Sequence, residues 1–261
     1  MEARHRRDVD VVTVLRAPVG AITRTRRPLR PGHVLVTLED LAIVTWPIAE
    51  PMLRTYLPAG IQPVIRQGQA FVSAVLFRNR ALRPAILGVP RMASFQMNLR
   101  SYIFDPISGR PESLFFHGLY LSRRWLAGTS SWLFGVPFQH LPLTIRAQLE
   151  RGRVSEYEAI TTDARVDIRA READQVVDEE MLGFLTNPHT GYVLDRDRGL
   201  RCWSIWHQPQ SVHTMAVSRA TLVSTALPAL GVPTWAFYVP SIDYEVYLPP
   251  TAVMNRSLIP T

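Results

Sequence analysis

Proline interrupts this chain twenty-one times in 261 residues, scattered from end to end rather than gathered in one linker. A helix interior tolerates proline poorly, because the ring removes a donor and clashes with the preceding turn. A helical bundle is therefore disfavoured, and the intervening segments read as strands and short helices. Strands are predicted at 41–45, 70–77, 92–104, 114–121, 201–207, 211–217 and 235–248, all apolar or alternating runs rich in β-branched and aromatic residues. Residues 154–160 and 164–170 read as a hairpin around Thr161-Thr162-Asp163. In its second arm Ala164, Val166, Ile168 and Ala170 alternate with Arg165, Asp167, Arg169 and Arg171, which predicts one face on the core and one in water. Three short helices are predicted. One runs over 50–57, with Pro51 in its first turn and Pro58 and Gly60 after it. The second runs from an N-cap at Ser122 to Phe134, ended by Gly135 and Pro137. The third covers 178–185, closed by Asn187-Pro188. No composition break or internal repeat divides the chain.

All 29 basic residues are arginine. Imine catalysis by a side chain needs a primary amine whose pKa burial can lower, and a chain without lysine has no ε-amine to supply one. Its single cysteine, Cys202, rules out an internal disulfide and a thiolate metal cluster. No run approaches the roughly eighteen apolar residues of a membrane span, and no signal-type apolar segment follows the first residues. Cytoplasmic residence and no membrane partner are expected.

The pI of about 10.1 invites a nucleic-acid reading, so the charge has to be located. Residues 1–30 hold eight arginines against Glu2, Asp8 and Asp10, which accounts for +5 of the net +7. The other residues carry only +2, so no nucleic-acid partner is expected. Residues 1–30 read as a basic, flexible arm and 31–261 as one domain.

The strand around Arg100 is the most informative. Ser94, Gln96, Asn98, Arg100 and Tyr102 share one face, because side chains alternate with period two, and five successive positions on that face are polar. A solvent-facing sheet surface explains such a row as well as a binding site does. The guanidinium of Arg100 is a planar, permanently charged donor suited to a carboxylate or enolate. In the next strand, His117 is the one polar side chain in a run of apolar residues, and it reads either as a general acid or base or as a hydrogen-bonded core histidine. His207 has the same ambiguity, with Trp203 and Trp206 beside it as candidate pocket walls. Asp243 and Glu245 share a strand face that fits an edge strand facing water, and they are also the candidate internal carboxylates for Arg100. The histidines lack metal-site spacing, and the chain has no G-x-S-x-G elbow, Walker loop, G-x-G-x-x-G turn or C-x-x-C pair. No metal and no cofactor are expected.

Several segments, in order, resemble one family. They are Trp46-Pro47, Leu57-Pro58-Ala59-Gly60, Gly68-Gln69-Ala70-Phe71-Val72, Phe77-Arg78, Asn98-Leu99-Arg100-Ser101-Tyr102 and Phe115-Phe116. Gly135-Val136-Pro137-Phe138, Met181-Leu182-Gly183-Phe184-Leu185-Thr186 and Trp206-His207-Gln208-Pro209 complete the series. Across roughly 40–250 they are similar to the YqjF-like uncharacterised family of the acetoacetate-decarboxylase-like superfamily. The resemblance implies a β-rich α+β fold, a cone-shaped antiparallel β-barrel with small flanking helices and a central ligand cavity. It turns the polar face of the Arg100 strand inward. In acetoacetate decarboxylases a Gly-Phe-Pro-Lys-like segment carries the amine. Here the comparable residues are Gly135, Val136, Pro137 and Phe138, so this chain looks like a divergent member without that lysine. The glutamate usual two positions before Asn98 is Gln96, and an Ala-Arg pair is replaced by Ser130-Ser131.

The leading expectation is a cofactor-independent, lyase-like enzyme acting on a small carbonyl or carboxylate metabolite by acid–base chemistry, without a Schiff base. Dehydration, hydration, cyclisation and decarboxylation all fit. Arg100 is expected to hold the anion, with His117 moving the proton and Tyr102 or His207 assisting. Gln96 and Asn98 would orient the substrate, and Phe138, Trp203 and Trp206 would wall it in. The rival is a non-catalytic small-molecule-binding barrel. The oligomeric state is left open, a homo-oligomer included.

Overall fold

In a computed structural model of the protein, residues 15–16, 26–84, 92–195, 197–208 and 211–254 are described. The first stretch holds β1 (Leu15–Arg16), β2 (Val34–Ile48), the helix α1 (Glu50–Arg54), β3 (Ala70–Pro84), β4 (Met92–Ile103) and β5 (Ser113–Leu121). After these come α2 (Arg124–Phe134), β6 (Phe138–His140), β7 (Leu143–Glu150), β8 (Arg153–Thr161) and β9 (Val166–Glu172). The chain continues with α3 (Glu179–Thr186), β10 (Thr190–Asp195), β11 (Gly199–His207), β12 (Ser211–Leu222) and β13 (Trp235–Met254).

The strands run in the order β11-β10-β5-β4-β3-β2-β13, and β11 also pairs with β13, which closes a seven-stranded barrel. Beyond β13 the sheet continues outward through β12, β9, β8 and β7. Pairing is antiparallel throughout the barrel except between β5 and β10. The barrel wall is thus buried on both sides. Inside lie Val36, Ile43, Val75, Phe77 and Phe237; outside, Val44, Ala74, Leu76, Leu99 and Ala236 pack on Tyr157, Ile168 and Met215 of the second sheet. Strands buried on both faces need apolar residues at consecutive positions, which is why 70–77 reads as an unbroken apolar run.

Two irregularities decide which side chains face inward. In β2 Asp40 adopts φ 51°, with a register shift against β3. Val34, Val36 and Leu38 face the barrel interior before it, and Leu41 and Ile43 after it, so the alternation changes parity. Asp40 is held there by the Arg78 guanidinium and the Tyr238 hydroxyl, each at 3.0 Å. In β5 the register against β4 shifts between Gly118, opposite Leu99, and Phe116, opposite Arg100, and leaves His117 as the extra residue.

The helices depart modestly from expectation. α1 ends at Arg54, followed by turns, and α2 begins at Arg124 rather than behind an N-cap at Ser122. The Ser122 hydroxyl instead accepts from the Phe95 N–H at 2.9 Å, which extends the strand edge. α3 begins at Glu179, and Asp178 caps it, accepting from the Met181 N–H at 3.1 Å. β8 and β9 form the expected hairpin, and Asp167 on its charged face is paired with Arg169 and Arg219.

Of the expected basic arm, only 15–16 and 26–30 fall within the described residues. β1 pairs with Val212 and Ser211 of β12. Arg26 donates through Nε to Glu245 at 2.7 Å and lies over the Trp206 ring. Among the described residues no helix is long and apolar enough to cross a membrane.

Candidate active site

The barrel holds a partly open cavity of about 150 Å³. The polar row of β4 reaches it as Gln96, Asn98 and Arg100, and Phe138 and Trp203 are in its wall. Those five expected residues are brought together. Phe138 is placed by α2, whose C-terminus ends at Gly135 in the left-handed region, φ 64°. The Ser131 hydroxyl then accepts from the Phe138 N–H at 2.9 Å, so Ser131 positions the wall while Ser130 lines the cavity.

Arg100 is buried, 8 % exposed, and forms no ion pair with a carboxylate among the described residues. Its Nη2 donates to the Leu185 carbonyl at 2.9 Å and more weakly to the Tyr102 hydroxyl at 3.4 Å. Leu185 lies in the last turn of α3, where carbonyls lack intrahelical partners and the helix dipole is negative. The Arg100 Nε is buried with no acceptor among the described residues. Both expected internal carboxylates are committed elsewhere, since Asp243 accepts from the Thr37 hydroxyl and Glu245 from Arg26 and the Tyr247 hydroxyl.

The neighbouring amides satisfy one another. Asn79 Nδ2 donates to Gln96 Oε1 at 2.9 Å, and Gln96 Nε2 to Asn98 Oδ1 at 2.8 Å. The Asn98 Nδ2 has no acceptor among the described residues, so it and the guanidinium are the donors this row turns toward the cavity.

Three expected residues are placed otherwise. His117 lies outside the barrel wall: the bulge puts it on the Phe115 side, with Nε2 3.0 Å from the Ser101 hydroxyl and its ring edge-on to Phe115. Burial pushes its pKa down to about 4, so it is a neutral core histidine. Trp206 sits on the outer face of β11 opposite Glu245, because only Trp203, Ile205 and His207 share the inward parity. Tyr102 faces inward but does not reach the cavity. Its hydroxyl donates to the Leu185 carbonyl at 3.0 Å and bonds Ser73 at 2.8 Å, so it braces the carbonyl that Arg100 uses.

His207 is buried at the end of the row, paired across the ladder with Tyr244, and their ring centroids are 4.7 Å apart. Its Nδ1 is 2.9 Å from the Gln208 carbonyl, and its Nε2 has no partner among the described residues. Burial lowers its pKa, and the charge of Arg100 adds to that. Tyr244 lines the cavity and escaped the sequence reading, which weighed only the Asp243–Glu245 face. The signal was the opposite parity, Ile242, Tyr244, Val246 and Leu248. Burial pushes the Tyr244 phenol up to about 12, so it remains a donor at neutral pH.

A closed barrel of this topology around an arginine-bearing cavity defines an acetoacetate decarboxylase-like fold. The enduracididine biosynthesis enzyme MppR, complexed with pyruvate, is similar with a TM-score of 0.56 and 15 % identity over 88 % of this chain and 92 % of that one. Acetoacetate decarboxylase from Legionella pneumophila is similar with a TM-score of 0.59 and 12 % identity, covering 88 % and 90 %. An acetoacetate decarboxylase-like enzyme from Sphingomonas wittichii RW1 reaches 0.54 and 12 %, covering 87 % and 95 %. At such identities the likeness shows the fold alone. The protein belongs to DUF2071, a family of uncharacterized conserved proteins, whose pattern matches residues 36–243. No protein of curated function matches the chain in sequence.

Proposed function

We propose that this protein is a cofactor-independent enzyme acting on a small carbonyl or carboxylate compound by acid–base chemistry, with no imine at a side chain. The observation that carries the reading is Arg100, a buried guanidinium and the one formal charge in a mainly apolar cavity lining, with no internal carboxylate partner among the described residues. A buried charge is costly unless paired, and a ligand carboxylate or developing enolate supplies the missing partner. Asn98 and Gln96 orient the ligand. Tyr244, which lines the cavity and is kept protonated by burial, replaces His117 as the proton donor, and His207, kept deprotonated by burial, packs against its ring. Phe138, at the position the family resemblance gives to the amine, contributes apolar wall, and the chain has no lysine to form an imine. Acetoacetate decarboxylase and the pyruvate complex of MppR support the chemical class by their names.

One observation favours a binding barrel without catalysis: the described residues lining the cavity include no Asp, Glu, Lys or His. The two readings separate in deuterated water. An enzyme accelerates exchange of the α-protons of a bound 2-oxo acid, seen by proton NMR, and Arg100→Ala abolishes the exchange. Binding without exchange or turnover of any carbonyl acid supports the barrel instead. Borohydride added with pyruvate should leave every side chain unmodified by mass spectrometry; an adduct within the folded chain refutes the mechanism.

A further inference from the structure

The cavity restricts its occupant further than an anion. Its lining among the described residues carries one formal charge, Arg100, and no carboxylate. A second anionic group on the ligand would be buried without a cation, and an ammonium group without an acceptor carboxylate; each is strongly disfavoured in an apolar site. The amide row adds no formal charge, and its members are tied in part to one another, Asn79 to Gln96 and Gln96 to Asn98, with the Asn98 Nδ2 left beside Arg100. Tyr244 stands near enough to feel the Arg100 charge and offers one more donor. The polar end of the cavity thus carries one cation and no carboxylate.

The remaining wall is apolar and preorganised. Phe116 lies flat on Trp203, with ring centroids 5.2 Å apart and 3° between planes. The pair is possible because Gly191 intervenes on the neighbouring strand: a Cβ there would come within 2.3 Å of the Phe116 ring. Phe138 and Leu119 complete the wall. An engineered apolar cavity of about 150 Å³ accommodates benzene, and at interior packing density such a volume holds roughly six to nine non-hydrogen atoms.

Resting on the reading that Arg100 anchors an anion, we propose that the barrel is selective for a monocarboxylic acid, with or without an adjacent keto oxygen, that carries a compact apolar body of branched-alkyl or phenyl size. Dicarboxylates and amino acids of equal length are rejected. The carboxylate meets Arg100, a keto oxygen accepts from Asn98 Nδ2, and the body lies against Phe116, Trp203 and Phe138.

The test is calorimetric titration of the full chain with benzoate, 4-methyl-2-oxopentanoate, pyruvate, 2-oxoglutarate and leucine. Benzoate and 4-methyl-2-oxopentanoate are expected to bind at least about tenfold more tightly than the other three. Leu119→Phe, with folding verified by circular dichroism, should weaken the two larger acids several-fold more than it weakens pyruvate. Should Leu119→Phe not fold, Leu119→Ala serves, and should relax the preference toward larger acids. Equal affinity for 2-oxoglutarate, leucine or pyruvate overturns the selectivity, while loss of that binding in Arg100→Ala leaves the anchor reading standing. Absence of binding by every acid overturns both.

Discussion

Arg100 and Leu185 are joined across the barrel by a 2.9 Å hydrogen bond from the guanidinium Nη2 to the last-turn carbonyl of α3. The same carbonyl accepts from Tyr102. One helix terminus therefore orients the guanidinium without neutralising it, and leaves charge available to the cavity.

Arg100→Ala should lower ligand binding by about 2–5 kcal/mol, the range for truncating one member of a buried charge pair. Arg100→Lys keeps the charge but loses the planar fork, so much of the loss should remain. Titration calorimetry on both variants, with folding checked by circular dichroism, measures this. Wild-type affinity in a folded Arg100→Ala protein would end the proposal.

Gly191→Ala inserts a methyl group into the Phe116 ring. The aromatic pair must separate, and the expected destabilisation is about 1–3 kcal/mol, as for other overpacked cores. Urea unfolding gives the magnitude, and the near-ultraviolet circular dichroism of Trp203 should change with it. An unchanged spectrum and midpoint would show that the stack has room to shift.

His117 contributes a pH dependence to stability rather than to chemistry. Its pKa is about 4 in the folded chain and near 6.5 when unfolded, so between these values the unfolded chain binds the extra proton. Stability is fully present above pH 6.5 and falls as pH drops toward 4, by roughly 3 kcal/mol in all. In His117→Gln the slope of unfolding free energy across this window should flatten, with ligand binding at neutral pH retained. A slope identical to the wild type contradicts the assignment.

Arg26 joins the N-terminal residues to the barrel, because Glu245 is buried, 4 % exposed, and depends on that guanidinium and on Tyr247. Arg26→Ala should lower the thermal midpoint, and the gap from wild type should narrow as salt screens the pair. No change at low salt would mean that solvent already satisfies Glu245.

The sequence by itself determined the absence of a lysine ε-amine, the strand-rich architecture, and the five-residue polar row from which Gln96, Asn98 and Arg100 reach the cavity. These follow from residue type and period-two spacing, which are local properties. The inward turn of that row was implied by family resemblance, since periodicity treats a solvent face and a barrel interior alike. Only the tertiary structure decided which histidine takes the inward parity. His117 is expelled from the cavity by one inserted residue in β5, and parity sends Trp206 outward while Tyr244 points in. A bulge or kink reverses every side chain beyond it, and its position depends on how the partner strand pairs, which neither strand records alone.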